Sequence, residues 1–196
     1  MSRLTDLGVA EGVDVDAFKA AMRQLPGGVT IITAGRDGEI SGMTVSSFVS
    51  LSVDPPTVMV SVNRQSSSWP LIQKRGVFGA NILAADQTAI ADRFSGKGGL
   101  HGPARFDGGE WMVLASGVPL LRGALAAIDC EVEHVIHRHS HVIIIGRVLE
   151  LQTSAGQGAL AYWNGRYVAI DNEAADDHAA AQRRLLERLT IAEGLV

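Results

Sequence analysis

The chain has 196 residues, 46% apolar and only 19% charged, with 17 Lys and Arg against 21 Asp and Glu for a net charge of −4. That length suits one domain, the apolar share excludes a largely disordered chain, and the mild acidity argues against a nucleic-acid binder, which presents a basic stripe to phosphates. Average domains carry roughly 25% charged residues, so the low fraction here suggests surface hidden against a second copy. In chain order, residues 14–24 read as a helix: Asp14 stands at its start, Phe18, Ala21, Met22 and Leu25 recur at helical spacing, and Pro26-Gly27-Gly28 stops it. Strands follow over Val29 to Ala34, Met43 to Leu51 and Thr57 to Val62, separated by turn residues at 35–38 and 54–56. Residues 67–75 read as a helix that Gly76 ends, with Pro70 in its first turn. Val77 to Leu83 is a further strand, and Asp86 to Phe94 a short helix capped by Asp86 or a neighbour.

Ser95 to Pro103 holds four glycines in nine residues and reads as a mobile loop. Leu125 to His137 and His141 to Leu151 are long Val/Ile-rich strands broken at Arg138-His139-Ser140, which predicts a hairpin. Ala159 to Trp163 and Tyr167 to Ile170 are joined by Asn164-Gly165, a tight-turn signal. From Glu173 to Thr190 the Ala, Arg and Leu content predicts a terminal helix with Leu185, Leu186 and Leu189 on one stripe. This divides the chain into an extension (1–13), a domain (14–171) and a C-terminal helix (172–196). Many short strands with few helices between them predict a mainly β fold with flanking helices, an antiparallel barrel or sandwich rather than a doubly wound sheet.

The single cysteine, Cys130, excludes an intramolecular disulfide and fits a reducing compartment. Apolar runs such as Val142 to Ile145 fall far short of the ~20 residues a helical membrane span needs, and Met1 to Asp6 has no apolar leader core, so a cytoplasmic location is expected with no membrane partner. Gly96-Lys97-Gly98-Gly99 fails as a nucleotide loop, because His101 and Ala91 stand where glycines are required. His134, His137, His139 and His141 are crowded together, yet no cysteine or second cluster completes a shell, so no metal is expected. Cys130 lies between Asp129 and Glu131, which disfavours a nucleophilic thiolate.

Ser41 to Ser52 departs from an ordinary strand in placing hydroxyls on both faces. A second hydroxyl cluster, Ser66-Ser67-Ser68, opens a helix just after Asn63-Arg64. Backbone N–H groups at a helix start, hydroxyls and one guanidinium form a plausible phosphate cradle, while capping and solvation account for the same serines without a ligand.

Gly28-Val29-Thr30-Ile31-Ile32-Thr33, followed by Gly42-Met43-Thr44-Val45-Ser46-Ser47-Phe48-Val49-Ser50-Leu51-Ser52-Val53-Asp54-Pro55-Pro56, resembles the signature of the flavin reductase-like family. Asn63 with the Ser66 to Trp69 loop, Gly76 to Leu83, Gln87 with Phe94 and Gly117-Val118-Pro119-Leu120 extend the resemblance. So do His141 with Gly146-Arg147-Val148, and Tyr162 with Gly165-Arg166-Tyr167. It covers about residues 17–171. It implies an antiparallel split β-barrel of Greek-key, FMN-binding type and a reductase that passes hydride from NADH or NADPH to FMN or FAD. The reduced flavin would serve a separate flavin-dependent oxygenase component, and the chain would form a homodimer.

Carried over by position, the flavin residues are Met43, Thr44, Val45, Ser46, Ser47, Asn63, Ser66, Ser67, Ser68 and Asn81, with Arg64 as the candidate phosphate cation. His141 is the candidate catalytic residue beside the nicotinamide, with Arg166 and Tyr167 assisting. The family's Gly-Asp-His turn reads His139-Ser140-His141 here, without the glycine and the aspartate. A reductase that holds its flavin tightly for another acceptor and a flavin-binding module without turnover are the alternatives.

Overall fold

The computed structural model describes residues 12–154 and 158–170. Helix α1 (Val15–Met22) is set by a local cap: the Asp14 carboxylate accepts hydrogen bonds from the N–H groups of Asp16 and Ala17, both at 3.0 Å. Its apolar stripe packs on no core among the described residues. Phe18 is 56% exposed and Leu25 68%, and the helix end is tied to the barrel by Asn164 N–H on Arg23 O and Trp163 Nε1 on Gln24 O.

Strands β1 (Gly27–Gly28), β2 (Thr30–Arg36), β3 (Glu39–Val45), β4 (Val49–Val53) and β5 (Pro56–Asn63) follow. Then come α2 (Trp69–Arg75), β6 (Val77–Ile82), α3 (Thr88–Phe94), β7 (Trp111–Met112) and β8 (Leu120–Leu121). The long pair β9 (Ala126–Arg138) and β10 (His141–Thr153) precedes the hairpin of β11 (Ala159–Trp163) and β12 (Arg166–Ile170). Seven strands make one antiparallel sheet in the order β3-β2-β6-β9-β10-β5-β4. The sheet curls without closing, because β3 and β4 are its two edges: this is an antiparallel split barrel with crossing connections. A second sheet, β1-β11-β12, lies beside it.

The barrel interior is aliphatic around Phe78, with Ile32, Val60, Val62, Val142 and Ile144 all buried. Gly146 is required there: a Cβ would stand 2.6 Å from the Phe78 ring. Strand β2 is buried on both faces. Ile32 points into the barrel, whereas Val29, just before the strand, and Ile31 pack with Leu83, Leu160 and an aromatic group under α3. That explains the run from Val29 to Ala34, which shows no alternation. In the aromatic group, Phe94 meets Phe106 at 5.0 Å between ring centres and Trp111 at 5.6 Å.

Several expectations need correction. The single strand expected over Met43 to Leu51 is two, β3 and β4, parted by Ser46-Ser47-Phe48, where the chain crosses from one sheet edge to the other. Helix α3 starts after Gln87, not at Asp86, and has no side-chain cap, since the Gln87 side-chain Oε1 turns back to accept from Ala84 N–H. The glycine-rich stretch folds into two 3-10 turns, Lys97–Gly99 and Gly102–Phe106. The two-residue strands β1, β7 and β8 are too short to show a period. Asn164 and Gly165 both take positive φ, as the Asn-Gly turn predicts. The expected helix over Glu173 to Thr190 lies outside the described residues. No helix among the described residues is long and apolar enough to cross a membrane.

Candidate functional site

The opening between β3 and β4 is lined by a cleft of about 620 Å³, within the range that takes a cofactor-sized ligand. One wall is the end of β3 and the crossing after it, Met43 to Ser47. The facing wall comes from Ser61 and Asn63 of β5, the Gln65-Ser66-Ser67 loop, and His141 at the start of β10. Phe94, Ser95, Gly96, His101 and Arg105 complete it. An adjoining depression of about 270 Å³ shares Thr44, Val45, Ser46 and Ser95, and adds Val29, Lys97, Tyr162 and Tyr167.

The β3 wall is placed by three local devices. As an edge strand, β3 pairs only with β2, so its other edge has backbone groups without a strand partner. Gly42 lets Phe94 lie on the strand, since a Cβ there would come within 2.6 Å of that ring. Thr44 Oγ1 donates to Ala91 O at 2.6 Å and so ties the wall to α3. On the other side, Ser47 Oγ donates to Ser61 O at 2.9 Å and holds the crossing against β5. The hydroxyls singled out in the sequence are therefore partly structural.

The loop before α2 is built the same way. Asn63 Oδ1 accepts from Gln65 N–H at 2.9 Å, and Ser66 Oγ accepts from Trp69 N–H at 3.3 Å. Ser67 Oγ lies 2.7 Å from Ser41 Oγ, which pins the loop to β3.

Of the expected flavin residues, Met43, Thr44, Val45, Ser46, Ser47, Asn63, Ser66 and Ser67 all line the larger cleft. Ser68 and Asn81 do not. Ser68 is fully buried, with its hydroxyl on Ser41 Oγ. Asn81 is fully buried within the sheet, where its amide donates to Ile31 O at 2.9 Å and accepts from Leu121 N–H at 2.7 Å. Both side chains are hydrogen-bonded inside the protein, away from the cleft lining.

His141 faces Asn63 across the β10–β5 ladder, and its ring Nδ1 is 2.9 Å from Ser140 Oγ. The missing turn glycine has a visible consequence: His139 adopts φ +45°, the left-handed region that a glycine occupies without strain. Tyr167 lines the smaller depression, where burial and the neighbouring Asp92 push its phenol up to about 12, so it is a neutral donor at neutral pH. Its ring lies 5.5 Å from Lys97 Nζ. Arg166 is exposed and lines neither space.

Arg64, expected as the cation of the cradle, turns its Nη1 to His139 O at 3.4 Å and is not part of the lining. The guanidinium in the cleft wall belongs to Arg105. The sequence carried no signal for it, since Pro103-Ala104-Arg105-Phe106 matches no motif. Gln65, His101, Lys97 and Tyr162 were likewise missed, because only folding brings these separate loops to one opening. The cleft's described lining holds neither aspartate nor glutamate. A wall of hydroxyls, amides, an open strand edge and cationic groups fits an anionic, hydrogen-bonding ring ligand such as a flavin nucleotide. Among the described residues no group of His, Cys, Asp and Glu could hold a metal ion. Burial, reinforced by Asp129, pushes the Cys130 thiol up to about 12, so it is no nucleophile.

Similarity to known proteins runs over most of the chain. The flavin reductase like domain model matches residues 22–171. A flavin reductase of Pseudomonas putida is 37% identical over 160 residues, covering 81% of this chain and 92% of that protein. HsaB, the reductase subunit of a flavin-dependent monooxygenase in Rhodococcus jostii, is 36% identical over 173 residues, 87% of each chain. The structure of the NADH:FAD oxidoreductase SgcE6 of Streptomyces globisporus, in complex with NAD and FAD fragments, superposes with a TM-score of 0.73 at 28% identity, covering 83% of this chain and 98% of that one. With a family model spanning most of its length and relatives alike over nearly their whole sequences, this chain belongs to the flavin reductase-like family.

Proposed function

We propose that the protein is an NAD(P)H-dependent reductase of FMN or FAD that supplies reduced flavin to a separate monooxygenase component. The observation that carries the reading is the carboxylate-free cleft along the open edge of β3, in a chain of this family. When bound, the flavin supplies an electrophilic N5 that takes hydride from nicotinamide C4. The chain's own part is to bind and orient. The β3 edge and the crossing at Ser46-Ser47 offer backbone and hydroxyl partners to the polar rim of the ring, and Phe94 gives one apolar contact. Asn63, Ser66 and Ser67 offer donors to the flavin's side chain. His141, and Tyr167 from the adjoining depression, flank the space left for the nicotinamide. No acid–base pair is needed, because orientation of two stacked reactants is the main requirement.

The exposed stripe of α1 and the apolar β4 residues Val49, Leu51 and Val53 support a homodimer, in which a second copy covers them. The test is oxidation of NADH and of NADPH by the purified chain, with and without added FMN or FAD, followed anaerobically by ultrafiltration. Turnover that requires added flavin, with reduced flavin in the filtrate, is the expected result. Reduced flavin retained with the protein would favour the tightly held alternative, and no oxidation of either nicotinamide would overturn the enzymatic reading.

A further inference from the structure

A further cavity, of about 130 Å³, lies at the other end of β2 from the cleft. Its lining is Gly35, Arg36, Arg75, Val77, Ser116 and Val118, and it shares no residue with the cleft or the depression beside it. In the β2–β3 ladder Arg36 faces Glu39 at the turn, whereas Thr30 faces Val45 of the cleft wall. The length of β2, about 20 Å, therefore separates the two spaces.

Three segments far apart in sequence build this cavity. Arg36 ends β2, Arg75 and Val77 stand where α2 gives way to β6, and the Ser116 to Val118 turn leads into β8. The turn is held by buried Asp129, whose two oxygens accept from Ser116 N–H at 2.7 Å and from Ser116 Oγ at 2.5 Å. Val118 N–H donates in turn to Ser116 Oγ at 3.3 Å. The Arg36 side chain reaches this turn, since a Cβ at Gly117 would stand 3.9 Å from its Cδ.

The polar groups here are out of balance. Arg75 Nε is buried without a hydrogen-bond partner, the one such side-chain atom among the described residues. A buried donor left unpaired is costly and marks a place where a water or a ligand completes the bond. Two guanidiniums line the space and no carboxylate does. The carboxylates that reach them stand outside the lining: Glu39 meets Lys74 Nζ at 2.9 Å and Arg75 Nη2 at 3.6 Å, and Asp37 meets Arg36 Nε at 3.5 Å. Both carboxylates are exposed, so solvent screens these pairs. A water would complete the Nε–H bond yet leave two like charges lining one small space. An oxyanion answers both, and arginine presents a planar fork that suits it. The volume is several times the ~30 Å³ share of a water molecule, enough for one ion of phosphate size.

We propose that this cavity binds a small oxyanion of the phosphate class through Arg75 Nε–H and the Arg36 guanidinium, at a site separate from the cleft and independent of what the cleft holds. The probe is inorganic phosphate, added to the full chain and to Arg75→Gln and Arg36→Gln. Arginine Nε–H resonances are followed in a nitrogen–proton correlation spectrum, that of Arg75 being identified by its absence from Arg75→Gln. Phosphate is expected to move this resonance to saturation in the millimolar range, and Arg36→Gln to weaken the binding about tenfold, the scale of one charge-assisted contact. At matched ionic strength, phosphate should also raise the Tm of the wild type more than that of Arg75→Gln. The general stabilising action of phosphate is common to both chains and cancels in that difference.

A resonance that phosphate leaves in place, or moves without saturating, would make water the partner of the Nε–H and overturn the proposal. So would equal gains in Tm for the wild type and Arg75→Gln. Should Arg75→Gln not fold, Arg36→Gln decides: an Arg36→Gln chain that binds phosphate as tightly as the wild type overturns the site as proposed.

Discussion

The five inner strands of the barrel (β2, β6, β9, β10 and β5) and its two edge strands (β3 and β4) solve opposite problems with the same backbone. Every inner strand is paired on both sides, and its inward residues close around Phe78 with no room for a Cβ at Gly146. The edges are paired on one side only. Between them the chain crosses at Ser46-Ser47-Phe48, held by side-chain bonds such as Thr44 to Ala91 and Ser47 to Ser61. The inner wall derives its stability from burial and an unbroken ladder, whereas the seam keeps backbone groups available and is propped by hydroxyls. The candidate site lies where the ladder stops, where the described sheet has unpaired polar groups to offer a ligand.

Substitutions can break this contrast. Phe78→Ala empties the centre of the inner wall and is expected to destabilise the fold by about 3–5 kcal/mol, read as a lower denaturant midpoint at unchanged slope. A loss below about 1 kcal/mol would mean that the wall does not depend on its core. Alkaline pH probes the same wall. Cys130 is fully buried, and its thiol rises from an ordinary 9.0 to about 12. The unfolded chain releases that proton above about 9.0 while the folded chain keeps it until about 12, so stability is full below 9.0 and falls as pH rises through this window. Tyr167 adds to the fall between 10.0 and about 12. Cys130→Ala should flatten the decline in Tm above pH 9.0; an identical slope would contradict the buried-thiol account.

At the seam, Thr44→Val removes the bond to Ala91 O and should cost about 1 kcal/mol, well below the Phe78 effect, with a weaker flavin complex measured by fluorescence quenching. A stability loss equal to that of Phe78→Ala would erase the distinction between wall and seam. The smallest change in stability is expected outside both. Phe18→Ser on exposed α1 should shift stability by less than about 0.5 kcal/mol. In the proposed dimer it should nonetheless lower the mass measured by light scattering, and an unaltered mass would remove α1 from that interface.

Much of the cleft lining was legible before folding because the hydroxyl-rich stretch at Met43 to Ser47 and the serines after Asn63 are contiguous and unusual. Ser68 and Asn81 were misplaced for a common reason: a polar residue marked for a ligand and one marked for a buried hydrogen bond look alike until burial is known. Arg64 and Arg105 show the same limit from the other side. The sequence called for a guanidinium near the serines, yet Arg64 follows the β9–β10 turn toward His139 O, and Arg105 arrives from a loop about forty residues away by gripping Gly42 O. The break within 43–51 was hidden because an edge crossing keeps β-compatible residues, so local pattern continues where pairing stops.

By itself the sequence determined most strand runs, the Asp14-capped helix, the Asn164-Gly165 turn, the inert setting of Cys130 and the family resemblance, because these rest on near neighbours. Only the tertiary structure decided where the barrel stays open, that the α1 stripe faces outward in the single chain, and which guanidinium enters the cleft. Those outcomes depend on pairing between residues far apart in sequence. Whether a strand or a cation finds a partner is settled by the whole sheet, not by its neighbours in the chain.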